Sequence, residues 1–503
     1  MTTIGDATPQ SFRSLLAMAT DELRAAINLK LPGWLDARSP AMFRAMELDV
    51  AETARDFADH IVELVLREIV ADPALQVESS AAAGASAKLR YAGRRTVDVT
   101  LLGGRSVKVR VPYLKPDRRG LPGRPRGTGR RGKGGSGIYP LLALLGIWFG
   151  VTPALGDEIT RQVTDSDSVR TGRAALARRG IDLGHKQTLR IVNAVGQRAV
   201  QQRDLWVKNI LEQPAASAGP LRGKRIVVAI DGGRIRQRVE LGGRRSEETG
   251  HHRYDAPWRE PKLFCIYVID NDGNIEDTFR PVYDGTMENC DGAFDRLTGY
   301  LKALGAHEAK ALVFLGDGAK WIWDAMDTLI ERVGIPKTRV SQVVDWYHAV
   351  EVLGEVADAR AHWPEGEREA WLKRAKKALH AGDTRGLMLL FDEIAIGRRA
   401  KKVNKRREYF TGNESRMQYA SFVNAKIPNG SGCIESAIRR IVNMRMKGNG
   451  TFWLLENAEA MLLLRSYLKA GRFDDLIDWS LTTAASWWRA GWGFFKAPIQ
   501  EVA

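Results

Sequence analysis

Apolar positions recur every three or four residues near the start of the chain. Phe43, Met46, Val50, Ala54 and Phe57 set a stripe that Ile61, Leu64 and Ile69 extend. That period predicts helix over residues 11–73, either a packed helical hairpin or a dimerisation arm. Residues 79–86 are small and read as a spacer. The period then drops to two in residues 96–101 and 106–111, on either side of Gly103-Gly104, which predicts a β-hairpin. Residues 138–151 form an apolar run broken by glycine. It is too short to span a bilayer, so it reads as a buried helix.

Leu155, Ile159 and Val163 mark one amphipathic helix. Asp167 or Ser168 can cap a second, which ends at Gly180. A third opens with His185, Lys186, Gln187 and Thr188 and runs to about residue 197. This order resembles a helix-turn-helix, although any helical hairpin with a glycine turn has the same pattern. From residue 222 the chain reads as strands: one ending at Asp231, a second over 262–269, a third over 275–282, a fourth ending at Asp317 and a fifth over 340–344. Asp270-Asn271-Asp272-Gly273-Asn274 turns the second strand into the third. Helices are expected over 292–304 and 321–333. Three antiparallel strands, helix, strand, helix, strand is the order of a ribonuclease-H-like fold, in which strands one and four are neighbours.

These patterns predict an α/β chain built on a ribonuclease-H-like core. Residues 1–78 are helical, 79–114 a small hairpin module, 115–137 a linker and 138–215 a helix-turn-helix-like domain. The core comprises 216–345 and 427–470, separated by a basic helical insertion at 346–426, and a Trp-rich tail fills 471–503. That tail (Trp479, Trp487, Trp488, Trp492) reads as local core.

The chain has 503 residues and a formal charge of +16, with a sequence pI near 9.7. Its length calls for several domains, and its charge leans toward a polyanionic partner. The linker concentrates that charge in Arg118, Arg119, Arg124, Arg126, Arg130, Arg131 and Lys133 among glycines and prolines. Such a segment either follows a DNA backbone or serves as a tether. Gly127, Gly132 and Lys133 nearly match a phosphate-binding loop, but Gly134 stands where a hydroxyl residue is needed and no strand precedes it. The three cysteines, Cys265, Cys290 and Cys433, lack metal-ligand spacing, so neither a disulfide framework nor a zinc site is expected. The cysteine usage makes a reducing cytoplasm the expected compartment, the first residues carry no signal-peptide pattern, and no membrane is expected as a partner.

The chemistry centres on three acids. Asp231 and Asp317 each close an apolar run and precede glycine, which leaves room beside the backbone. Glu435 follows Gly430-Ser431-Gly432 and borders a buried stripe of Ile434, Ile438, Ile441 and Val442. Arg439, Asn443 and Lys447 continue its face as a ridge suited to phosphate. If the acids converge, their repulsion calls for hard divalent cations, and a carboxylate-held metal pair suits phosphodiester chemistry. Taken singly, each aspartate can be a turn cap, and Glu435 can be one half of an ion pair with Arg439. Asp345 follows strand five and can act as a fourth acid. His348 lies three residues on and can brace the site, touch DNA or sit in the core.

Asp231-Gly232-Gly233-Arg234, Gly316-Asp317-Gly318-Ala319-Lys320-Trp321, Asp345-Trp346-Tyr347-His348 and Gly430-Ser431-Gly432-Cys433-Ile434-Glu435-Ser436 occur in that order. Arg445-Met446-Lys447-Gly448-Asn449-Gly450-Thr451-Phe452-Trp453 follows. Over roughly residues 135–470 this set resembles the ISKra and ISLre group of bacterial DDE transposases, relatives of Mutator-like and hAT-like enzymes. The resemblance implies Asp231, Asp317 and Glu435 as catalytic residues and metal ligands. Two Mg2+ ions are implied, for which Mn2+ can substitute. It matches Asp345 and His348 to an acid-or-cysteine, two-residue, histidine motif, and Trp453 to a tryptophan that helps hold a flipped or hairpinned base. Implied partners are DNA, as transposon terminal inverted repeats and target, and a second copy of the chain on that DNA. The chain departs from the pattern in lacking an N-terminal cysteine-based zinc module. Two alternatives stay open: a structure-selective nuclease on the same fold, and a non-catalytic DNA-binding protein derived from a transposase.

Overall fold

The computed structural model describes residues 8–86, 89–116, 137–215, 219–248, 250 and 252–482. Arg118, Arg119, Arg124, Arg126, Arg130, Arg131 and Lys133 of the linker, and Trp487, Trp488 and Trp492 of the tail, lie outside the described residues. The chain divides into two units, residues 1–195 with 477–503 and residues 196–476.

In the first unit, α1 (Thr8–Leu35) packs on α2 (Pro40–Ala71). Ser39 caps α2, its hydroxyl accepting from the Met42 amide at 3.2 Å, with Pro40 in the first turn. Asp49 of α2 joins the pair by accepting from Lys30 Nζ at 2.6 Å and Trp34 Nε1 at 2.7 Å. Phe43 and Val50 of the expected stripe stay exposed, so that stripe is not a closed core within this unit. The expected spacer at 79–86 is instead part of α3 (Pro73–Ser86). Its alanines carry the strongest helix propensity, which the small-residue reading overlooked. β1 (Leu89–Thr100) and β2 (Ser106–Pro116) form the predicted antiparallel hairpin, with Val97 opposite Val109 and Val99 opposite Val107.

The hairpin turn is held by a buried carboxylate. Asp59 of α2 accepts from the amides of Gly103 and Arg105, each at 2.9 Å. A Cβ on Gly103 would lie 2.6 Å from Asp59 Oδ2, so only glycine fits there. The run 138–151 is not one buried helix. It gives α4 (Pro140–Leu144) followed by turns in which Gly146 and Gly150 adopt positive φ. No helix among the described residues is long and apolar enough to cross a membrane. Next come α5 (Pro153–Asp165), α6 (Val169–Ala177) and α7 (His185–Glu212), the last far longer than its predicted end. Ser168 rather than Asp167 caps α6, accepting from the Thr171 amide at 3.0 Å.

The second unit is organised by a five-stranded mixed sheet. β3 (Arg225–Gly232) leads into an arm of short strands, β4 (Ile235–Arg236), β5 (Val239–Gly242), β6 (Arg253–Asp255) and β7 (Trp258–Arg259), before β8 (Lys262–Ile269) returns. β4 pairs with β7 and β5 with β6, so the described residues between 233 and 261 extend the β3–β8 hairpin. β9 (Val282–Thr286) follows, then α8 (Cys290–Ala303), β10 (Ala311–Gly316), α9 (Lys320–Trp323), α10 (Met326–Val333) and β11 (Val340–Val344). The strand order is β11-β10-β3-β8-β9. β3, β8 and β9 run antiparallel in sequence, whereas β3, β10 and β11 are mutually parallel.

The strands containing residues 262–269 and 340–344 match their expected bounds, but the third expected strand does not. Residues 275–281 contribute only an isolated bridge between Ile269 and Ile275, and pairing resumes at Val282. The Asp270 carboxylate accepts from the Asp272 and Asn274 amides and so holds the turn. The helix expected over 321–333 is two, separated at Asp324 and Ala325.

The insertion is helical, as expected: α11 (Trp346–Ala357), α12 (Glu367–Ala381), α13 (Thr384–Asp392), α14 (Ala400–Gly412) and α15 (Tyr419–Asn424). It has an aromatic core of its own in Trp371, Phe391, Phe410 and Tyr419, all buried and continuous with the sheet's core. α16 (Gly432–Ile438) then crosses β3 and β8, and α17 (Leu455–Lys469) packs on β9. α18 (Phe473–Thr482) closes the described chain.

Buried charge ties these elements together. Arg203 of α7 is fully enclosed and donates to Asp284 Oδ1 on β9 at 3.1 Å and to Glu459 Oε1 on α17 at 2.6 Å. Glu459 Oε2 accepts from the Met287 amide at 2.6 Å, and Arg296 of α8 donates to Glu288 at 2.7 Å. Burial holds the Asp284 carboxyl above the usual range, opposed by Arg203.

Candidate active site

The sheet register brings two of the acids side by side. Ala229 pairs with Leu315 and Ile230 with Gly316 on parallel strands, so the next residues are Asp231 and Asp317. In the same way Val344 pairs with Gly316, which sets Asp345 beyond Asp317 on the other flank. All three apolar runs stop at one level of the sheet, as parallel strand ends do at α/β ligand crevices. Glu435 comes from α16, whose Ile434, Ala437 and Ile438 are buried against the sheet while Glu435 is exposed.

The electrostatics connect them. Burial first, then the charges of Asp317 and Glu435, push the Asp231 carboxyl up to about 7. A hydrogen bond from the Gly232 amide and the nearby His348 act in the opposite sense. Asp317 Oδ1 accepts from the Ala319 amide at 2.9 Å. Glu435 Oε1 accepts from Ser431 Oγ at 2.8 Å, and Glu435 makes no ion pair with Arg439 among the described residues. The acids are thus gathered without being clustered: among the described residues, no group of three or more His, Cys, Asp or Glu forms a metal-holding set.

Asp345 has a different role from the fourth acid expected of it. It is buried and caps α11, accepting from the His348 amide at 2.6 Å on Oδ1 and from the Ser431 amide on Oδ2. With both oxygens committed to backbone donors, it fastens the end of β11 to the turn that opens the Glu435 helix. The Trp346 amide donates to the Asn429 carbonyl at 2.8 Å beside it. Asp345→Ala should therefore lower stability by about 2 kcal/mol, from one lost cap and one stranded amide. Thermal unfolding checks this, and amide exchange should rise at residues 429–436.

Two features escaped the sequence reading. Tyr409 of α14 brings its ring against Gly318, where a Cβ would lie 1.9 Å from Tyr409 Cε2. Its buried hydroxyl has no hydrogen-bond partner among the described residues, and burial, then the charges of Asp317 and Asp345, push the phenol well above its ordinary value. His348 is half-buried, with its ring centroid 6.4 Å from that of Tyr409 and Nδ1 3.7 Å from Glu351. The other feature is the arm that grows from Gly232, on which Arg236 stacks over Trp258 at 5.1 Å and Arg238 over Tyr254 at 4.7 Å.

The expected phosphate ridge is only partly continuous. Arg439, Asn443 and Lys447 are all exposed, but a π-helical turn at Arg439–Asn443 interrupts the helix and Lys447 lies in the turns beyond. Buried Arg465 donates to the carbonyls of Arg440 and Ile441 at that turn, compensating groups a widened turn frees. Trp453 is anchored on the arm. Its Nε1 donates to the Met446 carbonyl at 3.0 Å, its amide to the Arg236 carbonyl at 3.0 Å, and Arg445 lies 5.4 Å from its ring. In the first unit, Lys186 is exposed, whereas Gln187 donates to the Phe149 carbonyl at 3.0 Å and Thr188 is buried, bonding to Gly184. Gln187 and Thr188 thus serve the helix's own packing, because its first turn faces the preceding segment.

No family model matches the chain. No curated protein matches it either. Among solved structures, the Drosophila P element transposase strand transfer complex aligns with 64% of this chain and 80% of that chain, at 11% identity and a TM-score of 0.22. That likeness is too loose to bear on fold or chemistry.

Proposed function

We propose that this protein is a DDE-type DNA transposase of the insertion-sequence kind that its motifs resemble, acting through Asp231, Asp317 and Glu435. The observation that carries the proposal is the position of Asp231 and Asp317, each one residue beyond the last pair (Ile230 with Gly316) of two adjacent parallel strands. Glu435 lies near enough for its charge, with that of Asp317, to add to the burial that raises the Asp231 carboxyl. The strand order and directions support a ribonuclease-H-like core, interrupted before the Glu435 helix by the insertion.

A half-buried aspartate pushed toward neutrality by desolvation and by two further carboxylates is short of positive charge, and the three side chains offer only hard oxygen donors. Magnesium or manganese fits that charge and donor type. Asp231, Asp317 and Glu435 would hold the ions, and completing the set on binding is part of the proposal. Bound there, the ions would supply an acidified water for phosphodiester attack and charge to stabilise the leaving 3′-oxygen. The chain's own share is placement: Asp345 and Ser431 fix the start of the Glu435 helix, and exposed Arg439 and Lys447 offer charge to phosphates. The freed 3′-hydroxyl would then attack target DNA. Joining two terminal inverted repeats to a target requires at least two copies of the chain on DNA, with the basic linker and the domain bearing Lys186 as further DNA contacts.

The test is cleavage and joining of a duplex carrying the element's end, with magnesium, by wild type and by Asp317→Asn and Glu435→Gln. Loss of at least about 1000-fold in each variant, with DNA binding kept, is the expected result. Equal activity in all three would end the proposal. Cleavage without strand-transfer products would favour a structure-selective nuclease. Tight DNA binding with no calorimetric metal signal would favour a non-catalytic derivative.

A further inference from the structure

Two cysteines 168 residues apart meet at the base of the Glu435 helix. Cys265 is fully buried at the centre of β8, paired across the sheet with Ala229 on β3 and Tyr283 on β9. Cys433 is half-buried in the first turn of α16, two residues before Glu435 and two after Ser431. Their sulfurs lie 3.2 Å apart. The third cysteine, Cys290, is at the start of α8 and contacts Asp291. Nothing in the proposed phosphodiester chemistry calls on a thiol, and an apolar pair would pack equally well between strand and helix.

We infer that Cys265 and Cys433 are an oxidation site, a dithiol that a peroxide converts to a disulfide, clamping the Glu435 helix to the sheet. The more accessible Cys433 thiol would react first, giving a sulfenic acid and one water. The Cys265 thiol would then attack that sulfur, forming the S–S bond and releasing a second water. Two thiols thus give up two electrons and two hydrogens, and one peroxide becomes two waters. A disulfide is about 2.05 Å long, so the sulfurs must close by roughly 1 Å. β8 is held by ladders on both sides, so the displacement falls on the short helix. Ser431, which bonds both Asp345 and Glu435, sits on the same turn and would move with it.

Formation of the bond does not depend on the proposed activity; its effect on cleavage rests on that reading. A shift of this size at a catalytic carboxylate is expected to lower cleavage by about 10- to 100-fold. The experiment treats the full chain with hydrogen peroxide and then with a phosphine reductant, using wild type, Cys265→Ser and Asp231→Asn. Peptide mapping should find Cys265 joined to Cys433, with alkylatable thiols falling from three to one and returning on reduction. Amide exchange should slow across residues 432–438, and wild-type cleavage should fall and recover with the thiols. Cys265→Ser should match reduced wild type and form no bond. Over-oxidised Cys433 beside a free Cys265 would overturn the inference. So would a mapped bond with unchanged exchange and cleavage. If Asp231→Asn leaves cleavage intact, the active-centre reading fails instead, and mapping with exchange still decides this inference.

Discussion

Asp231→Asn is expected to abolish activity and at the same time stabilise the metal-free protein above pH 7. The folded Asp231 carboxyl titrates at about 7, against about 4 in an unfolded chain. Between those values the folded state holds a proton that the unfolded state has lost, so stability falls as pH rises through that window. The full displacement is worth at most about 4 kcal/mol, and partial exposure reduces it to about 2 kcal/mol. Asparagine removes the ionisation, so the variant should melt a few degrees higher at pH 8 and converge with wild type near pH 4. Magnesium should raise the melting temperature of wild type but not of the variant. A variant less stable than wild type at pH 8 would contradict the electrostatic account of the site.

Arg203→Met is expected to cost about 3–5 kcal/mol, the largest single loss of stability foreseen for this chain. It leaves Asp284 buried without its main counter-charge and frees Glu459 from α7. Chemical denaturation at pH 8 gives the loss directly. It should shrink as pH falls, because burial already holds the Asp284 carboxyl above its ordinary range and protonation removes the unpaired charge. The double variant with Asp284→Asn should recover part of the loss, a coupling that independent sites would not show.

Much of the second unit was legible because apolar strand cores and acidic strand ends carry their own punctuation. Residues 225–231, 262–269 and 340–344 each combine a β-branched run with a polar stop, and all three are strands. The arm at 233–261 was not legible, since its strands are two to four residues long, too short for an alternation to show. β9 was displaced because the alternation in 275–282 is local, while pairing is set by the partner strand. The adjacency of Asp231 and Asp317 followed from strand order alone. What Asp345 and Tyr409 do depends on where a distant insertion folds back, which no local pattern encodes. The Cys265–Cys433 contact is of the same kind.

The insertion begins after Asp345 and ends before Ser431, and those two residues are bonded to each other, with Trp346 bonded to Asn429 just inside them. Residues 346–429 are closed at their base by this latched stem, and above it Tyr419 donates to the Val344 carbonyl and Arg225 to the carbonyls of Ala425 and Lys426. Drift in length on the exposed side of the insertion can be absorbed there, while the latch keeps the start of the Glu435 helix beside Asp345. The same latch makes the stem the place where such drift stops being harmless.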